Sequence, residues 1–330
     1  MFTRALSRRI TACCAIALVF LAGCAGEDLS KANFERTTVK AEPGSGQGGV
    51  PEAPTDDPAL SLSTLRSVDP CGLLHDDVVG AFTPEGEGRN SDWGTCMRDF
   101  VDTGGKPISI MMVLGTGGFF ADQATSGVEG LPLTETSSDE NTCYSVAVTQ
   151  SEPDMGISVL AQHERGGGTP CESGYLVLQS VIKQLRENPP MLPPGDERSL
   201  RDVDLCAVPD SKVLEPAFEE GDVAVQPGDL HSCQFMQDDI VVYAYARLGY
   251  PVSVIEGTEE VELTDDVTAV MRPGTTDTAE CEVSWNHLGH SDVEAEVVSL
   301  NYYNYSKSAD VTEACESVTA LAEGMVKALP

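Results

Sequence analysis

Histidines and paired acids are the side chains of this sequence that could hold a metal ion. His287 and His290 stand three residues apart in NHLGH, a spacing from which two imidazoles can reach one ion. The pair also ends a predicted strand, where exposed polar residues are ordinary, and we favour that interpretation. Adjacent acids such as Asp76 and Asp77 lack the alternating pattern of a calcium loop. We therefore predict no metal site and no cofactor.

Nucleophile and phosphate motifs give no support to an enzyme. The sequence has no G-x-S-x-G elbow, and GTGG at 115–118 has no following lysine to make a phosphate loop. His163 and Glu164 are adjacent in HERGGG, but neighbours on a strand point to opposite faces. We predict no catalytic residues, and a hydrolase is the least favoured of three hypotheses for the function.

Eight cysteines beyond the N-terminal region divide into two sets of four. The gaps are 25, 47 and 28 residues in the first set and 27, 48 and 34 in the second, which indicates an internal repeat. The neighbouring residues agree, because DPC at 69–71 aligns with DLC at 204–206. The two sets are Cys71, Cys96, Cys143 and Cys171, then Cys206, Cys233, Cys281 and Cys315.

Disulfide bonds are the predicted role of these cysteines. Thiolate metal sites need close pairs such as C-x-x-C, and no such pair follows the N-terminal region. Four cysteines allow three pairings in each set, and the sequence leaves all three open. We favour the sequential pairs 71–96, 143–171, 206–233 and 281–315, because both sets keep these gaps near 30 residues. Each bridge would join a helix to a strand.

Tyrosines suggest where a ligand would bind. YAYARLGY and LNYYNY concentrate them in the second half of the chain, whereas the first half has only Tyr144 and Tyr175. Tyrosine combines apolar area with a hydroxyl group and is enriched at recognition surfaces. The alternative is that these rings only pack within a sheet. The residues that we select as binding candidates are Tyr243, Tyr245, Tyr302 and Tyr303.

The first residues predict export and a lipid anchor. Three arginines precede the apolar run TACCAIALVFLAG, which is short for a membrane span but has the form of a secretory signal. The run ends in LAGC at 21–24, which resembles the lipobox of bacterial lipoproteins. The resemblance implies that residues 1–23 are removed and that Cys24 becomes a diacylated N-terminus. An ordinary secretory signal, or twin-arginine export through Arg8 and Arg9, is the alternative.

Charge and composition exclude several partners. The 53 acidic and 20 basic side chains give a formal charge of −33, and no stretch is basic enough to bind nucleic acid. Attraction to anionic lipid through a basic patch is excluded for the same reason.

A hydrophobic content of 41% supports packed cores. We expect a flexible Gly/Pro-rich tether at 24–66, repeats at 67–187 and 201–330, and a Pro-rich linker at 188–200.

Periodicity predicts the same elements in both repeats. A short helix, marked in the first repeat by Leu74, Val78 and Phe82, precedes four strands and a longer closing helix. The predicted fold is α+β, with two tandem disulfide-stapled domains, each a mainly antiparallel sheet with both helices on one face. Residues 119–140 are expected to be a connecting region. The alternation of VEAEVVSLNYY predicts that Glu296 faces solvent.

The lipobox, the Gly/Pro-rich tether and DPCGLL with its four cysteines together resemble a family. They are similar to the actinobacterial lipoproteins of unknown function that carry a DPC-leucine motif. The resemblance covers 67–187 well, whereas the second repeat has LCAV at 205–208 in place of the motif. More remotely, the chain resembles the extracellular sensor domains of actinobacterial Ser/Thr kinases. The resemblance implies a place on the extracytoplasmic side of the cell membrane and supplies no catalytic residues.

These features lead us to expect a lipid-anchored, non-enzymatic binding or sensing protein of the cell envelope. Its partners would be the membrane, through Cys24, and an envelope protein or a small apolar ligand on a sheet face or between the repeats. The alternative is a structural or adaptor lipoprotein, and an envelope-polymer hydrolase is the least favoured. The acidic charge is compatible with a cationic partner without requiring one.

Overall fold

Two antiparallel sheets of seven strands each carry the fold. The structure, a computed structural model, describes residues 50–51, 57–75, 82–102, 104–164, 167–274, 279–306 and 308–330. The first sheet contains β1 Thr83–Asp92, β2 Thr95–Val101, β3 Pro107–Gly117, β4 Ser126–Val128, β5 Leu131–Asp139, β6 Thr142–Ser151 and β7 Asp154–His163. The second contains β8 Ala224–Asp229, β9 Ser232–Gln237, β10 Ile240–Gly249, β11 Glu259–Thr264, β12 Val267–Pro273, β13 Ala279–Ser291 and β14 Glu294–Asn304.

The two sheets have the same topology. The strand order is β1-β2-β3-β7-β6-β5-β4 in the first sheet and β8-β9-β10-β14-β13-β12-β11 in the second. In each sheet the third strand is followed by a crossover to the far edge, from which four strands return as a meander. Both sheets lie within one compact unit. The shared order agrees with the internal repeat that the cysteine spacing predicts.

Five helices among the described residues accompany the sheets. They are α1 Leu62–Arg66, α2 Pro70–Leu73, α3 Pro170–Glu187, α4 Ser211–Leu214 and α5 Val311–Ala328, with 3-10 turns at Pro58–Leu60 and Ala121–Gln123. The long helices are the ones predicted, and α3 packs on β6 and β7 as α5 packs on β13 and β14. No helix among the described residues is long and apolar enough to cross a membrane.

The aligned DPC and DLC motifs have the same local structure. The Asp69 carboxylate accepts a hydrogen bond from the backbone N–H of Cys71 at 3.0 Å, and the Asp204 carboxylate accepts one from Cys206 at 3.1 Å. In the first motif the aspartate caps α2, and Pro70 occupies the first helical position, where its missing N–H costs nothing. The aspartate therefore positions the cysteine backbone in both halves.

Four disulfides join the cysteines in the sequential pairs that we favoured. They are Cys71–Cys96, Cys143–Cys171, Cys206–Cys233 and Cys281–Cys315, with Cα–Cα distances of 5.0 to 5.1 Å. Three of these disulfides join a helix to a strand. The exception is Cys206–Cys233, in which Cys206 lies in a turn before α4. Loops of this length contribute about 3–4 kcal/mol each in the chain-entropy model.

The sequence-based prediction of four strands in each repeat is wrong, because each sheet has seven. The edge strands β1 and β8 are mostly polar and largely exposed, so they lack the apolar alternation that marks a strand. The expected connecting region 119–140 contains β4 and β5. In the first repeat the short helix ends at Leu73, before its three expected apolar markers: Leu74 is its C-cap, Phe82 lies outside it, and Val78 falls outside the described residues.

The boundaries of the expected tether and linker also differ from the prediction. Residues 57–66, expected to belong to the tether, form a 3-10 turn and α1, and Leu60 and Leu65 are buried in the first core. The expected linker lies along the first half, since the Asp69 N–H donates to the Pro190 carbonyl and the Leu192 N–H to the Ser67 carbonyl. The rest of the predicted tether, except residues 50 and 51, lies outside the described residues.

Candidate functional site

Two equivalent hairpin turns meet where the halves of the molecule contact each other. The turn between β1 and β2 contains Trp93, the turn between β8 and β9 contains Leu230, and each precedes a disulfide cysteine by three residues. Leu230, only 2% exposed, belongs to the hydrophobic core of the first half. Trp93 packs against the core of the second half, with its ring centroid 4.9 Å from that of His231. Each turn thus places its apolar side chain in the opposite half.

Hydrogen bonds between the halves fix this junction. The Arg66 Nε donates to the Leu230 carbonyl at 2.7 Å, and its Nη2 lies 3.2 Å from the Asp204 carboxylate. From the other turn, Asp92 Oδ1 accepts from the backbone N–H of Leu248 at 3.0 Å. Charge-assisted bonds are stronger than neutral ones, and the Arg66 side chain is 6% exposed, whereas that of Asp204 is 46% exposed. The turns are therefore held at fixed positions on both sides of the junction.

A cavity of about 310 Å³ opens beside the two turns and is lined by both halves. The first half contributes Asp92, Trp93, Thr95, Val113 and Leu114. The second half contributes ten residues, which are Asp229, Leu230, His231, Ser232, Tyr245, Ala246, Arg247, Glu282, Ser299 and Asn301. We call this space the junction cavity. Its volume is at the lower end of the range of small-molecule sites.

Burial shifts the pKa values of two titratable groups of the junction cavity. It raises the pKa of Asp92, although the N–H groups of Leu248 and Trp93 stabilise the charged carboxylate in the opposite direction. Burial also lowers the pKa of His231. The His231 Nε2 lies 2.6 Å from the Arg201 carbonyl, an acceptor, so this nitrogen carries the proton. His231 is therefore a neutral ring in the cavity wall at neutral pH.

Four tyrosines cover the face of the second sheet that lies opposite α5. Strand alternation directs Val242 and Ala244 of β10 into the core, so Tyr243 and Tyr245 lie on the other face. The rings of Tyr243 and Tyr245 stack at 6.1 Å, Tyr243 meets Tyr303 edge-on at 5.8 Å, and Tyr303 stacks on Tyr305 at 6.2 Å. We call Tyr243, Tyr245, Tyr303 and Tyr305 the tyrosine face. Tyr245 also lines the junction cavity, so the two features are continuous.

Of the four predicted binding tyrosines, Tyr302 is in the wrong place. It is 4% exposed and belongs to the core of the second half. Tyr305, which was not selected, is 58% exposed and belongs to the tyrosine face. The alternation of LNYYNY contains this information, because side chains two residues apart on a strand share a face.

Burial and nearby carboxylates raise the pKa of two hydroxyls of the tyrosine face, those of Tyr245 and Tyr303. Burial raises the pKa of Tyr303, and the charges of Glu280 and Glu282 raise it further. Burial likewise raises the pKa of Tyr245. Tyr245 and Tyr303 therefore present uncharged rings at neutral pH.

A His–Ser contact in the first half resembles part of a hydrolase triad but has the wrong proton arrangement. The His163 Nε2 lies 2.8 Å from the Ser173 Oγ, and Asp102 lies 3.8 Å from the His163 Nδ1. The His163 Nδ1 accepts the Gly168 N–H at 3.1 Å, so the proton is on Nε2, which donates to the serine. A general base needs the reverse arrangement. Because His163 and Ser173 are also both buried, we assign the contact to packing between β7 and α3.

The histidines considered for metal binding have partners within the protein. The His287 Nε2 lies 2.8 Å from the Arg198 carbonyl, and the His290 Nε2 lies 3.1 Å from Glu296 Oε1. Glu296 is 1% exposed, which corrects its predicted solvent-facing position, and its carboxylate accepts bonds from the Ser199 Oγ and the Leu200 N–H. Another group, Glu135 with Cys143 and Cys171, offers no thiolate because the cysteines are oxidised.

Two other cavities are less suited to a ligand. One, of about 370 Å³, is larger than the junction cavity but is lined by the local segment 211–223, which carries four acids. The other, of about 150 Å³, lies beneath the segment 252–258. Among these three, the junction cavity is the one lined by both halves of the molecule.

No protein-family model, no curated protein and no solved structure matches this chain. The predicted lipidation site Cys24 lies outside the described residues.

Proposed function

We propose that this protein is a lipid-anchored, non-enzymatic binding or sensing protein of the cell envelope that faces the extracytoplasmic side. Its ligand would occupy the tyrosine face and the adjoining junction cavity. The observation that carries the proposal is the double position of Tyr245, which stacks in the tyrosine face and lines the cavity. In this proposal the two halves act as tandem disulfide-stapled domains, and the second presents the recognition surface.

Physical chemistry supports recognition by this surface. Tyr243, Tyr245 and Tyr303 are only half-buried, and their mutual ring contacts restrict the rotamers that binding would otherwise have to order. The Gln234 amide donates to the Tyr243 hydroxyl at 3.2 Å, so the face has polar groups that can fix a ligand's orientation. Rigid aromatic area beside a few polar groups is typical of binding sites.

An adaptor role is the second candidate, and the crossover between β10 and β11 supports it. This segment, residues 250–258, exposes Tyr250, Val254 and Ile255, the last at 63%. Large apolar side chains exposed close together on a chain are common at protein–protein contacts. An adaptor would use this segment, whereas a ligand-binding protein would use the tyrosine face.

Capture from envelope extract tests the proposed binding. The chain from residue 24 onward is immobilised, and retained proteins, lipids and small molecules are compared by mass spectrometry among variants. We expect Tyr245→Ala to reduce recovery of a reproducible species by about tenfold, since truncating an aromatic at the centre of a site costs about 2 kcal/mol or more. Met111→Ala, on the corresponding face of the first sheet and outside the cavity lining, controls for loss of apolar area.

Two outcomes of the capture experiment separate the candidates. Retention that Ile255→Ser abolishes and Tyr245→Ala leaves unchanged would favour the adaptor role. Equal recovery by all variants and by an unrelated acidic protein would contradict both roles.

Fractionation tests the lipid anchor. Cys24→Ala should move the protein from the membrane fraction to the soluble fraction, because two acyl chains hold a protein stably at roughly 0.8 kcal/mol per buried methylene. Cys14→Ala changes a neighbouring cysteine without changing the lipobox and should leave the protein on the membrane. Membrane retention of Cys24→Ala would refute the anchor without affecting the proposed ligand site.

A further inference from the structure

The junction cavity has an excess of carboxylates. Asp92, Asp229 and Glu282 line it, against the single guanidinium of Arg247. A second guanidinium, Arg272, pairs with Glu282 from outside the lining. Three carboxylates thus face two guanidinium groups, so the cavity has one more negative than positive charge. Asp92 and Asp229 come from the equivalent turns of the two halves. The rest of the chain adds to this potential, since its formal charge is −33.

Each of these aspartates uses one oxygen for the fold. Asp92 Oδ1 accepts from the N–H groups of Trp93 and Leu248 at 2.8 and 3.0 Å, and Asp229 Oδ1 accepts from the His231 N–H at 2.7 Å. Among the described residues, no hydrogen bond to the Oδ2 atom of either aspartate is present. The turns thus hold each carboxylate in place through Oδ1 and leave Oδ2 able to accept from a ligand.

Aromatic rings complete the wall of the cavity. Trp93, His231 and Tyr245 line it, and the Trp93 and His231 rings are held against each other at 4.9 Å. The faces of Trp and Tyr rings attract cations, and the attraction grows when water is excluded. Neutral rings together with carboxylates that have a free oxygen are the combination that binds an organic ammonium ion rather than an anion or a neutral apolar molecule.

We propose that the junction cavity binds a small organic cation that carries an ammonium group. This inference rests on the proposed binding function and names the chemical class of its ligand. The ammonium group donates to the free oxygens of Asp92 and Asp229, and its carbon chain packs on Trp93 and Tyr245. A cavity of about 310 Å³ holds a molecule of small-metabolite size.

Trp93 fluorescence provides a direct measurement. The chain has two tryptophans, and the other, Trp285, is buried in the core at 1% exposure, so a ligand in the cavity changes mainly the emission of Trp93. The probes are butane-1,4-diamine, butane-1,4-diol and succinate, which share a four-carbon chain and differ in charge, and calcium chloride, all at matched ionic strength. We expect saturable change with the diamine, and none with the diol, succinate or calcium. Trp93→Phe should remove the change.

Variants locate the binding. Asp229→Asn keeps an oxygen for the His231 N–H but loses the charge, and it should weaken diamine binding by about tenfold or more. Asp265→Asn, an exposed acid in the β11–β12 turn, is the matched control and should leave the affinity unchanged. Far-UV circular dichroism of each variant verifies folding.

The outcomes distinguish this inference from the proposed function. Binding of diol and diamine with equal affinity, binding of calcium in preference to the diamine, or equal affinities of Asp229→Asn and Asp265→Asn would overturn the cation inference. The binding function would survive if envelope capture remained dependent on Tyr245. No response to any probe, together with no Tyr245-dependent capture, would overturn both.

Discussion

The open faces of the two sheets differ although their strands, disulfides and long helices correspond. Register relative to the disulfide cysteines places Tyr243 and Tyr245 of β10 where β3 has Met111 and Val113. It also places Tyr303 of β14 where β7 has Gln162. The same strand arrangement therefore accommodates different residues on this face. The second half has aromatic rings where the first has aliphatic and amide side chains.

The crossover segments contact the open faces of both sheets. In the first half Phe119, in the crossover from β3 to β4, contacts the Tyr144 ring at 5.7 Å, and Val146 and Val148 on the same face are fully buried. In the second half the crossover is bonded to β13, where the Val252 N–H donates to the Asn286 side chain at 2.8 Å. Both crossovers therefore contact the sixth strand of their half, whereas Met111 and Val113, like Tyr243 and Tyr245, stay half-buried.

Filling the space that the Leu230 side chain occupies should cause the largest loss of stability. Gly115 has φ +69°, and a Cβ there would lie 2.4 Å from a Leu230 methyl. Gly115→Ala combines backbone strain with overpacking and should lower the free energy of unfolding by about 3 kcal/mol. Gly289→Ala, where a Cβ meets nothing within 4 Å, should cost about 1 kcal/mol or less in chemical denaturation. Equal losses would mean that the Leu230 insertion does not contribute to stability.

Equivalent arginines should differ in their contributions to stability. Arg66 bonds to Leu230 and Asp204 of the other half, whereas Arg201 bonds to Pro193 and to its neighbour Asp202. Arg66→Met leaves the buried Leu230 carbonyl without its donor and should cost about 2 kcal/mol in urea unfolding.

Arg201→Met, in the same titration, should cost about 1 kcal/mol or less because its partners lie near the surface. A larger loss for Arg201→Met would contradict the assignment of Arg66 as the arginine that joins the halves.

The elements that were predictable from the sequence are those whose contacts are local or periodic. The central strands β2 and β3 bury every second residue over most of their length, β6 and β7 contain short runs of buried residues, and α3 and α5 have one apolar face, so each was predicted. The edge strand β1, TPEGEGRNSD, has no buried face and is stabilised by its ladder with β2. Its strand conformation depends on a partner that local sequence does not reveal.

The repeat contains more information than the cysteine spacing used for the prediction. TLRSVDPC at 64–71 aligns with SLRDVDLC at 199–206, so Leu65 and Arg66 correspond to Leu200 and Arg201. Both leucines are buried, and this alignment places residues 64–66 in the fold rather than in a tether. The junction cavity was not predictable in this way, because it depends on contacts between turns 137 residues apart that no periodicity encodes.

Neutralising either of two turn aspartates should change stability the least, and the two changes should have opposite signs. Burial raises the pKa of Asp92, so its ionised form destabilises the folded state above that pKa, and the penalty disappears as the pH falls below the ordinary value of 3.8. Hydrogen bonds from Lys106, and further from Gly104 and Gly168, lower the pKa of Asp102. Asp102 therefore contributes stability above pH 3.8, and this is lost as the pH falls through its folded pKa.

Asn substitutions measure the difference between these two turns. Asp92 uses only Oδ1 on its backbone donors, so Asp92→Asn keeps both bonds, removes the buried charge and should slightly stabilise the protein at pH 7. Asp102 uses both oxygens, because Oδ1 accepts from Gly104 and Lys106 and Oδ2 from Gly168. Asp102→Asn retains one acceptor oxygen and should be less stable than the wild type at pH 7. Guanidinium unfolding at pH 7 and pH 3 should show both differences shrinking in acid, and shifts of the same sign at pH 7 would refute this account.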